Sequence, residues 1–112
     1  DTVCSVVNLA VVRQEQGDPA EAERLYRRAL GGLEAKLGRD HPRTLTSVNN
    51  LGQVLREQGD LAGAERLYRR ALAGSEARLG PDHPHTLSTV WNLATTVATL
   101  RAEIDGDHPI ET

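Results

Sequence analysis

The run Ala22-Glu23-Arg24-Leu25-Tyr26-Arg27-Arg28-Ala29-Leu30 returns unbroken as Ala64 through Leu72. Sliding the chain on itself by 42 residues aligns the two copies, and Gln14–Leu45 then matches Arg56–Leu87 at 24 of 32 positions. Asp40-His41-Pro42 recurs in the same register as Asp82-His83-Pro84. Self-similarity at a fixed period of this size is the signature of a repeat architecture, and it governs every local reading.

Within a repeat the apolar spacing is helical. Val48, Leu51, Gly52 and Leu55 form one stripe over Leu45–Gln58, and Ala64, Leu67, Tyr68, Ala71, Leu72, Ser75 and Leu79 form another over Leu61–Leu79. Thr44 is the expected N-cap of the former, behind Pro42, whose fixed φ and missing N–H stop the helix before it. Gly59 and Gly80 are expected to end the two helices, and Asp60 to cap the second. In the first repeat Asp18, Pro19 and Glu21 spell cap, first turn and capping partner. Gly52 is expected to face Ala64 and Ala71 and let the two backbones approach. Gly32 and Gly74 each cost about 1 kcal/mol relative to Ala in mid-helix, so their recurrence signals a bend or a close crossing with the next helix. Glu23–Arg27 and Glu65–Arg69 are i,i+4 pairs in the favourable order, on faces read as solvated.

The repeat places helices at Thr2–Gln16, Pro19–Leu37, Leu45–Gln58, Leu61–Leu79 and Thr86–Arg101. A helix pair of this kind cannot bury its apolar stripe alone, so successive pairs must stack. The fold class is therefore all-α, an α-solenoid of antiparallel helix pairs with five helices in about two and a half repeats. The 112 residues make one domain, with repeat 1 at about 2–43, repeat 2 at about 44–85, a half repeat at about 86–101 and an irregular tail at 102–112. Arg101-Ala102 stands where a Gly-Asp turn would close the fifth helix. Gly106-Asp107-His108-Pro109 is either a displaced turn or a degenerate copy of the joint between repeats.

Leu51-Gly52, Ala64, Tyr68 and Ala71 together resemble the small-and-large signature of tetratricopeptide (TPR) repeats. The 42-residue period, with Leu-Gly-x-Asp-His-Pro-x-Thr-Leu at the joint (Leu79–Leu87, echoed at Leu37–Leu45), resembles the kinesin light chain subclass. That subclass also occurs in many bacterial signalling and NTPase proteins. The resemblance covers about residues 2–100. It implies a scaffold in which the first helix of each pair lines a concave face, with peptides lying across it. It does not name the partner, because one scaffold hosts many functions.

Composition narrows the classes. Thirteen basic against sixteen acidic residues give a net charge of −3, so there is no basic footprint for nucleic acid or an anionic membrane. No window approaches 18 consecutive apolar residues and no signal-peptide pattern is present, so no membrane partner is expected and the localisation is read as cytoplasmic. The absence of Met implies a chain that is processed or cut from something longer. Cys4 alone builds neither a disulfide framework nor a two-thiolate zinc site. His41, His83 and His108 sit one to a joint, and His85 lies near only His83 and Asp82, so no metal and no cofactor is expected. No phosphate loop, nucleophile elbow or HExxH motif occurs. The chain is not read as an enzyme.

What remains is the face of the first helices. Asn8, Asn50 and Asn92 recur in register, each followed by Leu. A side-chain amide donates and accepts at once, so this ladder either pairs with the backbone of an extended peptide or ties neighbouring helices together. Similar repeats use an Asn ladder in the first way, which is what the resemblance implies here. Around it lie Val7 and Val11 with Cys4 and Gln14, then Asn49, Gln53 and Arg56 with Thr46 flanking, then Ser88, Trp91 and Thr95. Trp91 stands where the preceding repeat has Asn49. It is either an apolar wall for a ligand or covered by the tail or a partner chain.

The preferred reading is a non-catalytic module that binds a protein or peptide segment through Val7, Asn8, Val11, Asn49, Asn50, Gln53, Arg56, Trp91 and Asn92. The expected ligand has an aromatic or aliphatic anchor and a nearby acidic residue. A second reading is self-assembly. The fifth helix offers Val90, Leu93, Val97 and Leu100 beyond the last pair, and contiguous exposed apolar residues mark interfaces, here a homo-oligomer. A third is a sensor arm of a larger NTPase or signalling protein.

Overall fold

A computed structural model describes residues 2–105 as five helices: α1 (Thr2–Glu15), α2 (Pro19–Leu37), α3 (Pro42–Glu57), α4 (Leu61–Leu79) and α5 (Pro84–Asp105). The side chain of Cys4, and the tail from Gly106 onward with His108, lie outside the described residues. Each helix packs on the next along the chain. Side-chain bonds then join alternate helices into two layers. Gln14 Nε2 donates to the Glu57 carboxylate at 3.2 Å between α1 and α3, and Arg56 donates to Thr95 at 3.0 Å between α3 and α5. On the other side, the Arg70–Glu34 ion pair joins α4 to α2. The result is the stacked helix-pair solenoid implied by the repeat, with no strand among the described residues. None of these helices is long and apolar enough to cross a membrane.

The second helices start as their sequence reads. The Asp18 carboxylate accepts from the Glu21 N–H at 3.2 Å and that of Asp60 from the Gly63 N–H at 3.0 Å, each satisfying a donor with no partner inside its helix. The Glu23–Arg27 and Glu65–Arg69 pairs form, both at 2.8 Å.

The first helices differ from expectation at both ends. α3 begins at Pro42, three residues before the predicted Leu45, because a proline loses nothing at a first turn whose N–H would be unpaired anyway. His41 takes the cap, its Nδ1 accepting from the Arg43 N–H at 3.1 Å, while Thr44 is buried inside the helix. α5 repeats this start, with His83 Nδ1 accepting from the His85 N–H at 3.0 Å. At its far end α5 runs on to Asp105 rather than stopping at Arg101. The chain after α3 turns at Gly59 with φ +90°, a left-handed conformation that the equivalent Arg101 would adopt only under strain. Residues 102–105 of the expected irregular tail are therefore helical.

The small residues act differently from their first reading. A Cβ on Gly52 would stand 2.9 Å from a ring carbon of Tyr68, so the glycine makes room for the tyrosine rather than for Ala64 and Ala71. A Cβ on Gly74 would stand 2.8 Å from Leu45, and one on Gly32 3.2 Å from Val3. Both glycines thus serve close crossings with the preceding helix, not the next. Tyr26 and Tyr68 are buried in register, the first with Leu25, Val48, Leu51 and Val54, the second with Leu55 and Ala64.

Candidate functional site

The layer of first helices carries two distinct places. Between α1 and α3 lies a cleft of about 200 Å³ lined by Val3, Val7, Asn8, Leu33, Arg43, Thr46, Ser47 and Asn50. Its apolar lining comes from Val3 and Val7 on α1 and from Leu33, a core residue of α2. Its amides come from Asn8 on α1 and Asn50 on α3, two rungs of the Asn ladder brought to one opening. Helical spacing accounts for much of this lining. Val3 and Val7 are one turn apart, as are Thr46 and Asn50, with Arg43 another turn back.

Three of the residues singled out from the sequence, Val7, Asn8 and Asn50, meet there, with Thr46 beside them. Val3, Leu33, Arg43 and Ser47 were not singled out. Arg43 fell outside because α3 was expected to start at Leu45. Leu33 belongs to a second helix, so no stripe drawn on first helices reaches it.

The other place is the junction of α3 with α5. Asn49 is half-buried, and its Nδ2 donates to Thr89 Oγ1 at 2.8 Å, while its Oδ1 is buried without a partner. That amide ties helices together. Arg56 is exposed yet engaged, donating to Thr95. Gln53 and Val11 are exposed, and Asn92 is half-buried with its backbone carbonyl accepting from Thr96 at 2.8 Å. Trp91 is 70% exposed, so no described residue covers it.

His85, which the sequence places only near His83 and Asp82, lies at this junction in the first turn of α5. Its Nδ1 is 3.1 Å from Ser75 Oγ, and its Nε2 is 3.4 Å from both Thr46 Oγ1 and Asn49 Nδ2. Burial, reinforced by neighbouring His83, holds its pKa below the usual imidazole value. Ser75 is completely buried, so this Ser–His contact offers no nucleophile to a substrate. Burial raises the Tyr68 phenol's pKa, and Arg56 opposes that rise.

The outer face of α5 is apolar. Leu87, Val90 and Ile104 are exposed, and Val97, Leu100, Arg101 and Ile104 line a cleft of about 290 Å³. Leu93, Val97 and Leu100 are half-buried, Leu93 against the Leu55, Ala64 and Tyr68 cluster. At the opposite end of the stack, Leu9 and Val12 of α1 are exposed. Among the described residues no three His, Cys, Asp or Glu side chains gather as metal ligands. The chemistry on offer is hydrogen bonding by amides and hydroxyls beside small apolar surfaces.

Comparison with known proteins agrees with the helical-repeat fold. The family described as tetratricopeptide repeat matches residues 1–77 and again 49–103. Among solved structures, BtubC (BKLC) from P. vanneervenii superposes with a TM-score of 0.82 at 20% identity, covering 94% of this chain and 41% of that one. A putative kinesin light chain of Podosopora anserina with nearly identical TPR-like repeats gives 0.77 at 24% identity, covering 94% and 47%. A point variant of that protein gives 0.79 at 24%, covering 91% and 49%. At these identities the likeness is one of fold, and the chain spans less than half the length of each. No curated protein matches the chain.

Proposed function

The chain belongs to the tetratricopeptide repeat family, in a kinesin light chain-like form, and on that premise we propose that it binds an extended protein segment on the face of α1, α3 and α5. Repeats of this family generally serve as protein–protein interaction scaffolds, and the typical member is not a catalyst. The observation that carries the finer reading is the cleft between α1 and α3. Asn8 and Asn50 can hold a peptide backbone irrespective of its sequence, while Val3, Val7 and Leu33 accept one apolar side chain. Trp91 supplies a second apolar contact on α5, with Arg56 beside it for an acidic neighbour. Rigid helices hold these groups before the ligand arrives, which lowers the ordering cost of binding.

The test is a peptide-display selection on the wild-type chain and on an Asn8→Ala, Asn50→Ala variant shown by circular dichroism to be folded. A motif with an apolar anchor enriched on the wild type alone supports the reading. Equal enrichment on both, or none on either, removes it.

A second reading is favoured by the exposed Leu87, Val90 and Ile104 on α5, joined by the cleft of Val97 and Leu100: a second copy of the chain packs against this end. Light scattering at high micromolar concentration separates the two readings. A mass of two chains that falls to one on Val90→Ser, Val97→Ser supports assembly, and a single-chain mass excludes it.

A further inference from the structure

The docking of α5 differs chemically from the docking of α3. Where α2 meets α3, Leu33, Ser47 and Val54 are buried, and Arg43 is exposed at the start of the helix. One repeat later the same positions hold Ser75, Thr89 and Thr96, all fully buried, and half-buried His85. Hydroxyl groups stand where Leu33 and Val54 give aliphatic contact, and an imidazole stands where the other repeat has Arg43. Thr96 gives its hydroxyl to Asn92 of its own helix, so the bonds that cross to α3 and α4 here are those of Thr89 and His85, and one participant titrates.

The contacts of His85 match a neutral ring. Asn49 Nδ2 is a donor only, so its 3.4 Å contact is a hydrogen bond when Nε2 carries no proton, and Nδ1–H then donates to Ser75 Oγ at 3.1 Å. Adding a proton at Nε2 sets donor against donor at Asn49. Turning the amide over to present Oδ1 would break the 2.8 Å bond from Nδ2 to Thr89, whose own hydrogen is already given to the His85 carbonyl at 3.0 Å. Thr46 Oγ1, likewise at 3.4 Å, gives its hydrogen to the Pro42 carbonyl and faces Nε2 as an acceptor, so it offsets only part of what a protonated ring loses at Asn49.

No charged group bonds the ring. From α3 the facing groups are Thr46 and Asn49, and from α4 Ser75. From its own joint come His83, another base, whose Nδ1 accepts from the His85 N–H, and, three residues back, the exposed carboxylate of Asp82. Among the described residues no carboxylate pairs with the ring.

We propose that the His85 junction is a proton-sensitive clasp, which locks α5 onto α3 and α4 when the imidazole is neutral and releases it when the ring is protonated. The sign follows from linkage. The unfolded ring takes up its proton near pH 6.5, and the folded ring does so at lower pH. Stability is therefore full above about pH 6.5 and falls as pH drops toward the folded pKa. The loss is concentrated in α5, because the α2–α3 joint has Arg43 and Leu33 at the equivalent places. The device needs no ligand, so it stands or falls apart from the proposed binding role.

Hydrogen exchange, corrected for the intrinsic effect of pH, tests it on the wild-type chain and His85→Gln at pH 7.5 and pH 5.5. His83 and His41 are present in both chains, so their caps cancel. Protection of residues 86–101 is expected to fall at least five-fold further at pH 5.5 in the wild type than in His85→Gln, with no such difference between the chains in α3. Equal falls in both chains, or none in the wild type, overturn the clasp. Should His85→Gln fail to fold, an NMR titration of the wild-type imidazoles decides. A His85 midpoint below the ordinary imidazole value of about 6.5 supports the clasp, and one at or above it overturns the clasp.

Discussion

α3 and α5 carry nearly the same apolar letters at the same repeat positions, and they meet different fates. Leu45, Val48, Leu51, Gly52 and Leu55 of α3 are all buried, Val48 and Leu51 in a cluster shared with α1, α2 and α4, and Leu55 against Ala64 and Tyr68 of α4. Their equivalents in α5 are Leu87, Val90, Leu93, Ala94 and Val97. There Leu87 is 52% and Val90 41% exposed, Ala94 is exposed, and Leu93 and Val97 are only half-buried, Leu93 against the core. Burial in a stacked repeat is thus a property of the neighbours, not of the helix. A fully buried leucine is worth roughly 1.5–3 kcal/mol relative to an exposed one, so α3, with neighbours on both sides, gains more from its apolar stripe than α5 does.

Substitutions at paired positions break or sharpen that contrast. Leu45→Ala is expected to cost about 3 kcal/mol in urea unfolding, and Leu87→Ala within about 0.5 kcal/mol. Equal costs would mean that α5 is covered after all. At the helix ends, Gly59→Arg should lose about 1–2 kcal/mol by forcing a side chain into the left-handed turn. The reciprocal Arg101→Gly should cost about 1 kcal/mol or less and remove amide protection from residues 102–105. Protection retained there would show that something other than the missing glycine extends α5.

The smallest contrast sits on the site face. Asn49→Ala removes the bond to Thr89 and is expected to cost about 1 kcal/mol, whereas Trp91→Ala at the same repeat position should change thermal stability by less than about 0.5 kcal/mol. A larger loss at Trp91 would reveal a covering partner.

The 42-residue period made the fold legible, down to the Asp18 and Asp60 caps, because a repeated pattern states each packing rule twice. The starts of α3 and α5 were less legible. His41 and His83 cap through a ring nitrogen, a role the sequence shares with many loop histidines, and Pro42 reads equally as a stop and as a first turn. The site was half legible. Periodicity on one helix found Val7, Asn8 and Asn50, but Leu33 comes from the other layer and the His85 junction from three helices at once. Exposure alone separates Trp91 from Asn49, and it depends on hydrogen bonds formed across the stack.

The most direct test of the binding face is an amide chemical-shift map of the ¹⁵N-labelled chain titrated with the peptide enriched by display. The account predicts the largest shifts at Val7, Asn8, Thr46 and Asn50, with smaller ones around Trp91. Shifts confined to Val90, Val97 and Leu100 would contradict it and place recognition on the uncovered end of the stack.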